Sequence, residues 1–246
     1  SMKKRNILTY SILLIVILSS SFACDNSDNY SLGDFRISIA TVIPESKTSY
    51  SLLLDNGDKL WPAASDVMYS PKEGQRVFVN YTLLPHSQQD YDHFIKINDI
   101  WNILTKPVIS LTEQNADSIG NDPVRINDLW IGNHYLNIGF SFNYNGVRPH
   151  AINLVQNETA TNKDEDVLEL EFRHNSYNSA NSSLYDGFAC FDLKPFQIEG
   201  KEATPIKVIV RDWNGEKEYE LLYIYKEQTK AKIETRIPKI TSNEIK

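Results

Sequence analysis

The residues of this 246-residue chain that could do chemistry are two cysteines, five histidines, four tryptophans and one dense acidic run. Cys24 stands in "FACDNSD", between an apolar run and an acidic polar segment. Three chemistries suit it: a disulfide with Cys190, metal ligation, or acylation. His86, His93, His134, His150 and His174 show none of the close spacing of a zinc-binding helix or a Cys/His knuckle. His86 and His93 flank a polar loop, and His174 continues the phase of Leu168, Leu170 and Phe172, where it reads as a satisfied residue at a strand end.

The acidic run "NKDEDVLELE" offers Asp164, Glu165, Asp166, Glu169 and Glu171. On a strand, Glu169 and Glu171 would stand about 7 Å apart, within the span of an inverting glycosidase pair. Exposed acids at i and i+2 are also what any solvated strand shows, and that is the preferred reading. Asp164 and Asp166 alternate as in a calcium loop, but the central glycine is missing. No G-x-S-x-G elbow and no Walker or Rossmann glycine pattern occurs. The expectation is a protein without catalytic residues, metal or cofactor. Trp213, Trp61, Trp101 and Trp130 are the candidates for holding a ligand such as a glycan. Trp213 flanks a turn and shares a face with Glu216 and Glu218, whereas Trp61, opening "WPAAS", reads as a barrel plug. Against all four stands the reading that they pack a core or a domain interface.

Ser1, which natural translation would not place before Met2, is set aside. Lys3, Lys4 and Arg5 precede an apolar run from Ile7 to Leu18 and then small residues, the layout of a secretory signal over residues 1–23. The run falls short of the roughly 20 apolar residues that span a bilayer. "SFAC" resembles the lipobox of bacterial lipoproteins: Ala23 fits the position before the cysteine, while Ser21 and Phe22 depart from the usual pattern. An ordinary signal peptide with an incidental cysteine is the alternative. Asp25, Asn26, Ser27 and Asp28 resemble the acidic signal that carries some Gram-negative lipoproteins to the cell surface, with Asp25 and Asp28 as its charges. The expected address is the outer membrane, held through lipid on Cys24 and facing outward, or alternatively on the periplasmic face. Cleavage leaves Cys24 at a free end, so pairing with Cys190 falls, and Cys190 in "FACFDL" reads as a small core hydrophobe. Without the leader, 22 basic residues face 32 acidic ones, a net charge of −10. A nucleic acid partner needs a basic face, and this excludes one.

Apolar and polar residues alternate repeatedly, which predicts half-buried antiparallel strands. Phe35, Ile37 and Ile39 share one phase; Val77, Val79, Tyr81 and Leu83 oppose Arg76, Asn80 and Thr82; Leu136, Ile138, Phe140 and Phe142 oppose Asn137, Gly139, Ser141 and Asn143. Three Asn-Gly pairs, at 56–57, 145–146 and 214–215, predict hairpins. A two-residue loop at Asn214-Gly215 sets Asp212 across from Lys217 and Arg211 across from Glu218. The same loop at Asn56-Gly57 would oppose Asp55 to Asp58, so a longer loop is expected there, or else a cation between the two acids. The polar stretch Ser110 to Asp128 marks a boundary. The fold expected is all-β: a leader at 24–32, an OB-like small barrel at 33–112 with four or five strands, a linker at 113–124, and a β-sandwich at 125–230 with about seven. A polar tail follows at 231–246, with "TRIPKIT" as a candidate edge strand.

"LLLDNGDKLWPAAS" and "PKEGQRVFVNYTLL", with Asp55, Asn56 and Gly57 at the turn and Gly74, Arg76, Val77 and Tyr81 in the following strand, resemble the N-terminal half of the NigD-like lipoproteins. "DLWIGNHYLNIGFSF" through "IKVIVRDWNGEKEYELLY" resembles that family's C-terminal domain. The resemblance implies an OB-like barrel, a C-terminal β-sandwich and a lipid anchor, and it implies no catalytic activity or cofactor. The leading expectation is a lipid-anchored binding or accessory module with a glycan or surface-protein partner. A glycan-binding protein or glycan-active enzyme, and an immunity-like lipoprotein associated with a bacteriocin, are the alternatives.

Overall fold

The computed structural model describes residues 35–85, 90–158, 166–179 and 183–226. Its first five strands are β1 (Phe35–Pro44), β2 (Tyr50–Leu54), β3 (Lys59–Ser65), β4 (Arg76–Leu83) and β5 (His93–Asn102). They close into a barrel in the order β1-β2-β3-β5-β4, because β1 pairs with both β2 and β4 and β3 runs parallel to β5. One phase of each strand fills the interior: Ala40 and Val42, Leu52, Leu60, Val77, Val79 and Tyr81, Ile95 and Ile97. In β1 the phase of Phe35, Ile37 and Ile39 therefore lies outside the barrel. Ile39 is nonetheless 4% exposed, because something else covers it.

Ten residues after β5 starts the sequence has already turned into the second domain. β6 (Leu104–Pro107), β7 (Ile109–Leu111), β8 (Arg125–Gly132), β9 (Tyr135–Tyr144), β10 (Ala151–Asn157), β11 (Leu168–Asn175), β12 (Ser183–Asp192), β13 (Ala203–Asp212) and β14 (Gly215–Ile224) form a sandwich. One sheet runs β14-β13-β11-β10-β7 and the other β6-β12-β9-β8. Leu136, Ile138, Phe140 and Phe142 of β9 meet Ile152, Leu154, Leu170, Phe172, Val208 and Val210 in the core. Transferring such side chains from water is the main drive for closing the layers.

Several expectations need correction. The polarity of Ser110 to Asp128 places the boundary too late: β6 and β7 already pair with β12 and β10, so the barrel ends at Asn102 and not at residue 112. The supposed linker holds the short helix α1 (Ala116–Ile119), whose Ile119 packs with Leu111 and Val155. This is also why the sandwich has nine strands among the described residues instead of about seven. Parallel pairs join β3 to β5, β6 to β12, β7 to β10 and β11 to β13, so the alternation revealed half-buried strands but not their direction. "TRIPKIT" lies outside the described residues.

The Asn-Gly pairs behave in three ways. Asn145-Gly146 follows β9 but makes no hairpin, since β9 pairs with β8 and β12 and the chain crosses to the other sheet before β10. At Asn214-Gly215 the turn sits one residue earlier than expected, on Trp213 and Asn214, so each cross-strand partner is two residues off the expected one. Asp212 lies across from Gly215, Arg211 from Glu216 and Val208 from Tyr219. Gly215 takes the positive φ, +118°, while Trp213 and Asn214 form the turn. At Asn56-Gly57 the longer loop is present: the Leu54 amide donates to the Asp58 carbonyl and the Gly57 amide to the Leu54 carbonyl, with Gly57 at φ +88°. That three-residue loop, a turn closed by a positive-φ glycine, takes Asp55 out of the ladder and frees its carboxylate to point elsewhere. Positive φ at both central positions of a turn occurs instead at Asn133 (+45°) and His134 (+65°), between β8 and β9.

Candidate functional site

The outer face of β4 decides where the site forms. Arg76 belongs to the phase that points away from the barrel interior, where a charged residue would ordinarily be solvated, yet its side chain is fully buried. Asp55, released by the β2–β3 loop, meets it with Oδ1 at 2.7 Å from Nη1 and accepts from Nη2 at Oδ2 over 2.8 Å. Two parallel contacts of this kind match the planar guanidinium to the carboxylate. The second proton of each terminal nitrogen reaches one of the two domains, Nη1 donating to Thr41 Oγ1 at 2.9 Å and Nη2 to Asn137 Oδ1 at 2.9 Å, while Nε has no hydrogen-bond partner among the described residues. Burial alone would depress the guanidinium, but the adjacent Asp55 charge outweighs it and holds Arg76 above its ordinary value.

The sandwich supplies polar and aromatic cover for this pair. Trp130 of β8 donates from Nε1 to Asp55 Oδ2 over 3.3 Å, and Asn133 donates to Thr41 Oγ1 over 2.6 Å. The Tyr135 ring lies 5.1 Å from the Arg76 guanidinium carbon, and its hydroxyl donates to the Gly74 carbonyl at 2.9 Å. Asn137 also accepts from Cys190 Sγ at 3.1 Å. Gly132 passes so close that a Cβ there would stand 2.4 Å from Asp55 Oδ2. An apolar seam of Ile39, Phe78, Ile103, Phe188 and Trp130 seals the network, with Phe78 and Phe188 rings 5.2 Å apart edge to face. Barrel and sandwich belong to one compact unit.

Beside this joint opens a cleft of about 330 Å³. Asp55 and Trp130 line its floor, Leu53 and Leu54 of the barrel one wall, and Leu222 and Ile224 of β14 the other. A second cleft, of about 500 Å³, lies along β11 and is lined by Glu169, Glu171 and Phe196. Its acids are engaged: Glu171 pairs with Arg173 and accepts from Asn157 at 2.7 Å, and Glu169 lies 3.6 Å from Lys207. Asp164 and Glu165 lie outside the described residues. Among the described residues no three His, Cys, Asp or Glu side chains are grouped as a metal site.

The four tryptophans are not brought together. Trp130 is part of the joint. Trp61 does not plug the barrel, because Leu60 takes the inward phase; Trp61 turns outward against Tyr91, ring centroids 5.0 Å apart. Trp101 is 45% exposed near the end of β5, across from Phe78. Trp213 sits at the turn tip, outside the paired residues of β13 and β14, with the Arg125 guanidinium carbon 5.3 Å from its ring. Cys190 is buried as expected, though beside Asn137 and Arg76 and not among hydrocarbon alone; burial pushes its thiol up to about 12. His174 is buried at the end of β11 and bonds His150, Nε2 to Nδ1 at 2.8 Å, and His150 in turn meets Ser179 Oγ at 3.1 Å. Cys24, Asp25, Asp28 and His86 lie outside the described residues.

The sequence reasoning missed Arg76, Asp55, Asn137 and Asn133 as a set. The one available signal was the awkward Asp55–Asp58 opposition. A longer loop relieves it, and a cation does sit on Asp55, delivered from β4 and not placed between the two acids.

Comparison with known proteins accounts for both halves. A model described as the NigD-like N-terminal OB domain matches residues 39–103, and one described as the NigD-like C-terminal beta sandwich domain matches residues 107–223. Among solved structures, a toxin-related protein from Parabacteroides distasonis is 38% identical, over 79% of this chain and 96% of that one, with a TM-score of 0.71. A protein of unknown function from Bacteroides vulgatus is 30% identical, over 87% of this chain and 100% of the other, with a TM-score of 0.66. A NigD-like immunity protein from Bacteroides caccae shares 19% identity over 80% and 100% of the two chains, at a TM-score of 0.60, a likeness of fold alone. No protein of curated function matches the chain.

Two predictions follow from the buried groups. Arg76→Met and Asp55→Leu should each lower unfolding free energy in urea by about 3–5 kcal/mol, since each leaves a buried charge alone; the double variant should recover much of that loss. The His150–His174 pair sets an acid limit. Burial, then the neighbouring imidazole, lowers His174 to about 4, so the folded state holds it neutral while the unfolded chain protonates near 6.5. This contribution is complete above about pH 6.5 and is lost as pH falls toward 4, at most about 3 kcal/mol. Urea midpoints across that window should fall, and His174→Gln should flatten the fall.

Proposed function

Because the chain belongs to the NigD-like family, we propose that it is an exported, lipid-anchored binding or accessory module without catalytic activity of its own. The observation that carries this reading is the use to which the buried polar groups are put. Arg76, Asp55, Asn137 and Cys190 bind the barrel to the sandwich, His150 and His174 bind each other, and Glu171 is held by Arg173 and Asn157. Catalytic groups are instead found poised toward a reacting atom, with partners that orient them and leave one end open. Here the charged core of the molecule is spent on making two domains one body that presents fixed surfaces.

Attachment rests on the leader. Acylation of Cys24 would leave ten residues before β1 begins at Phe35, and such a length reaches at most about 35 Å even when fully extended. Asp25 and Asp28 support an outward-facing position on the outer membrane, and the partner is a glycan or a surface protein. Among the described residues no helix is long and apolar enough to cross a membrane. A second reading, protection against a toxin, draws on the descriptions of the Parabacteroides distasonis and Bacteroides caccae proteins as toxin-related and as an immunity protein. Comparing the toxin sensitivity of a deletion strain with that of its parent separates the two.

Metabolic labelling with palmitate tests the anchor. The wild-type chain should carry label in the membrane fraction, and Cys24→Ala should carry none and be released. Label retained on the Cys24→Ala variant would place the anchor elsewhere.

A further inference from the structure

Among the described residues the sandwich has four strand edges, and three are blunted in recognised ways. β6 has four residues and ends in Pro107, β7 has three, and β8 carries a register shift between Ile126 and Asp128. β14 is different. It has ten residues, contains no proline, and pairs with β13 from Gly215 to Ile224 without a shift. Its single lysine, Lys217, is turned onto Asp212 at 2.6 Å. A long, regular edge of this kind offers a row of backbone donors and acceptors to any extended chain.

The side chains along the edge say which chain would suit it. Glu216, Glu218 and Glu220 alternate on one exposed face, and Glu218 shares Lys207 at 3.7 Å. The same face continues into Leu222, 53% exposed, and Ile224, 37% exposed, which form a wall of the cleft beside the joint. A second copy pairing antiparallel on β14 would set glutamates against glutamates, and like charges directly opposed are destabilising. A strand with basic residues at every second position meets three carboxylates on one face instead. We propose that the edge of β14, which pairs with β13 alone among the described residues, is a docking site for an extended, basic segment of a partner protein, which adds to the β14-β13-β11-β10-β7 sheet as a further strand and lays its last side chains into the cleft. Backbone hydrogen bonds supply the affinity in this mode, and the alternate side chains supply the choice of partner.

The inference rests on the reading of the protein as a binding module, but it does not depend on the anchor, so it is tested on soluble mature chain carrying Cys24→Ala. The probe is a capped ten-residue peptide of alternating Arg and Val, with an alternating Glu and Val peptide as its counterpart. Fluorescence anisotropy should show saturable binding of the basic peptide alone, and hydrogen exchange should show new protection over Gly215–Ile224. The exposed pair of changes Glu218→Lys and Glu220→Lys, which disturbs no buried group, should weaken binding about tenfold. Absence of binding, equal binding of both peptides, or protection confined to other strands would overturn the proposal. So would β14 protection in the free protein that disappears on removing residues 227–246, which would make the chain's own tail the occupant, or that rises with concentration alongside a dimer. A palmitate result against Cys24 leaves each of these outcomes unaffected.

Discussion

A guanidinium removed from water is among the most expensive groups a fold can bury, and the arrangement of this molecule follows from how Arg76 is compensated. The Asp55 carboxylate neutralises it, Thr41 and Asn137 take its remaining Nη donors, and the Tyr135 ring lies against it. Arg76, Asp55 and Thr41 are barrel residues, while Asn137 and Tyr135 are sandwich residues. The barrel alone would leave the ion pair on its outer surface, where such a pair contributes little. Docking the sandwich removes the water, strengthens the pair, and makes each partner indispensable to the other. The net worth of the pair against an apolar replacement is small by the same reasoning; what it enforces is the relative placement of two β domains.

Local features that look unrelated serve that placement. The three-residue loop at Asp55, Asn56 and Gly57 lifts Asp55 from the ladder. The missing side chain at Gly132 leaves room for the carboxylate. Positive φ at Asn133 and His134 turns β8 into β9 so that the Asn133 amide reaches Thr41. Cys190 is packed into the joint, where burial raises its pKa and keeps it a neutral thiol beside Asn137. The barrel packs on the outer face of the β6-β12-β9-β8 sheet, through Asn137, Phe188 and Cys190, and the cleft lies beside that contact, between the β2–β3 loop and β14.

Much of this fold was legible in the sequence because strand alternation records which face meets a core. Leu136 to Phe142, Val77 to Leu83 and Leu168 to Phe172 place their apolar phase as expected. Alternation is silent on which partner covers the opposite face. Ile39, Phe78 and Arg76 lie on outward phases, and only the docked second domain makes them interior. Polar composition was a poor guide to the boundary because β7 and α1 bury just Leu111 and Ile119 between solvated neighbours. Turn chemistry located each Asn-Gly pair but not its role, since a positive-φ glycine closes a three-residue loop at Gly57, starts the return strand of a two-residue hairpin at Gly215 and lies in a crossover at Gly146. The tryptophans were legible as large aromatics, but their separation over the surface depends on long-range pairing.

The buried Arg76–Asp55 joint makes barrel and sandwich a single cooperative body. Differential scanning calorimetry of the mature Cys24→Ala chain tests it most directly. A joined body unfolds in one transition whose calorimetric enthalpy equals its van't Hoff enthalpy. Two separable transitions, one for each domain, would contradict it.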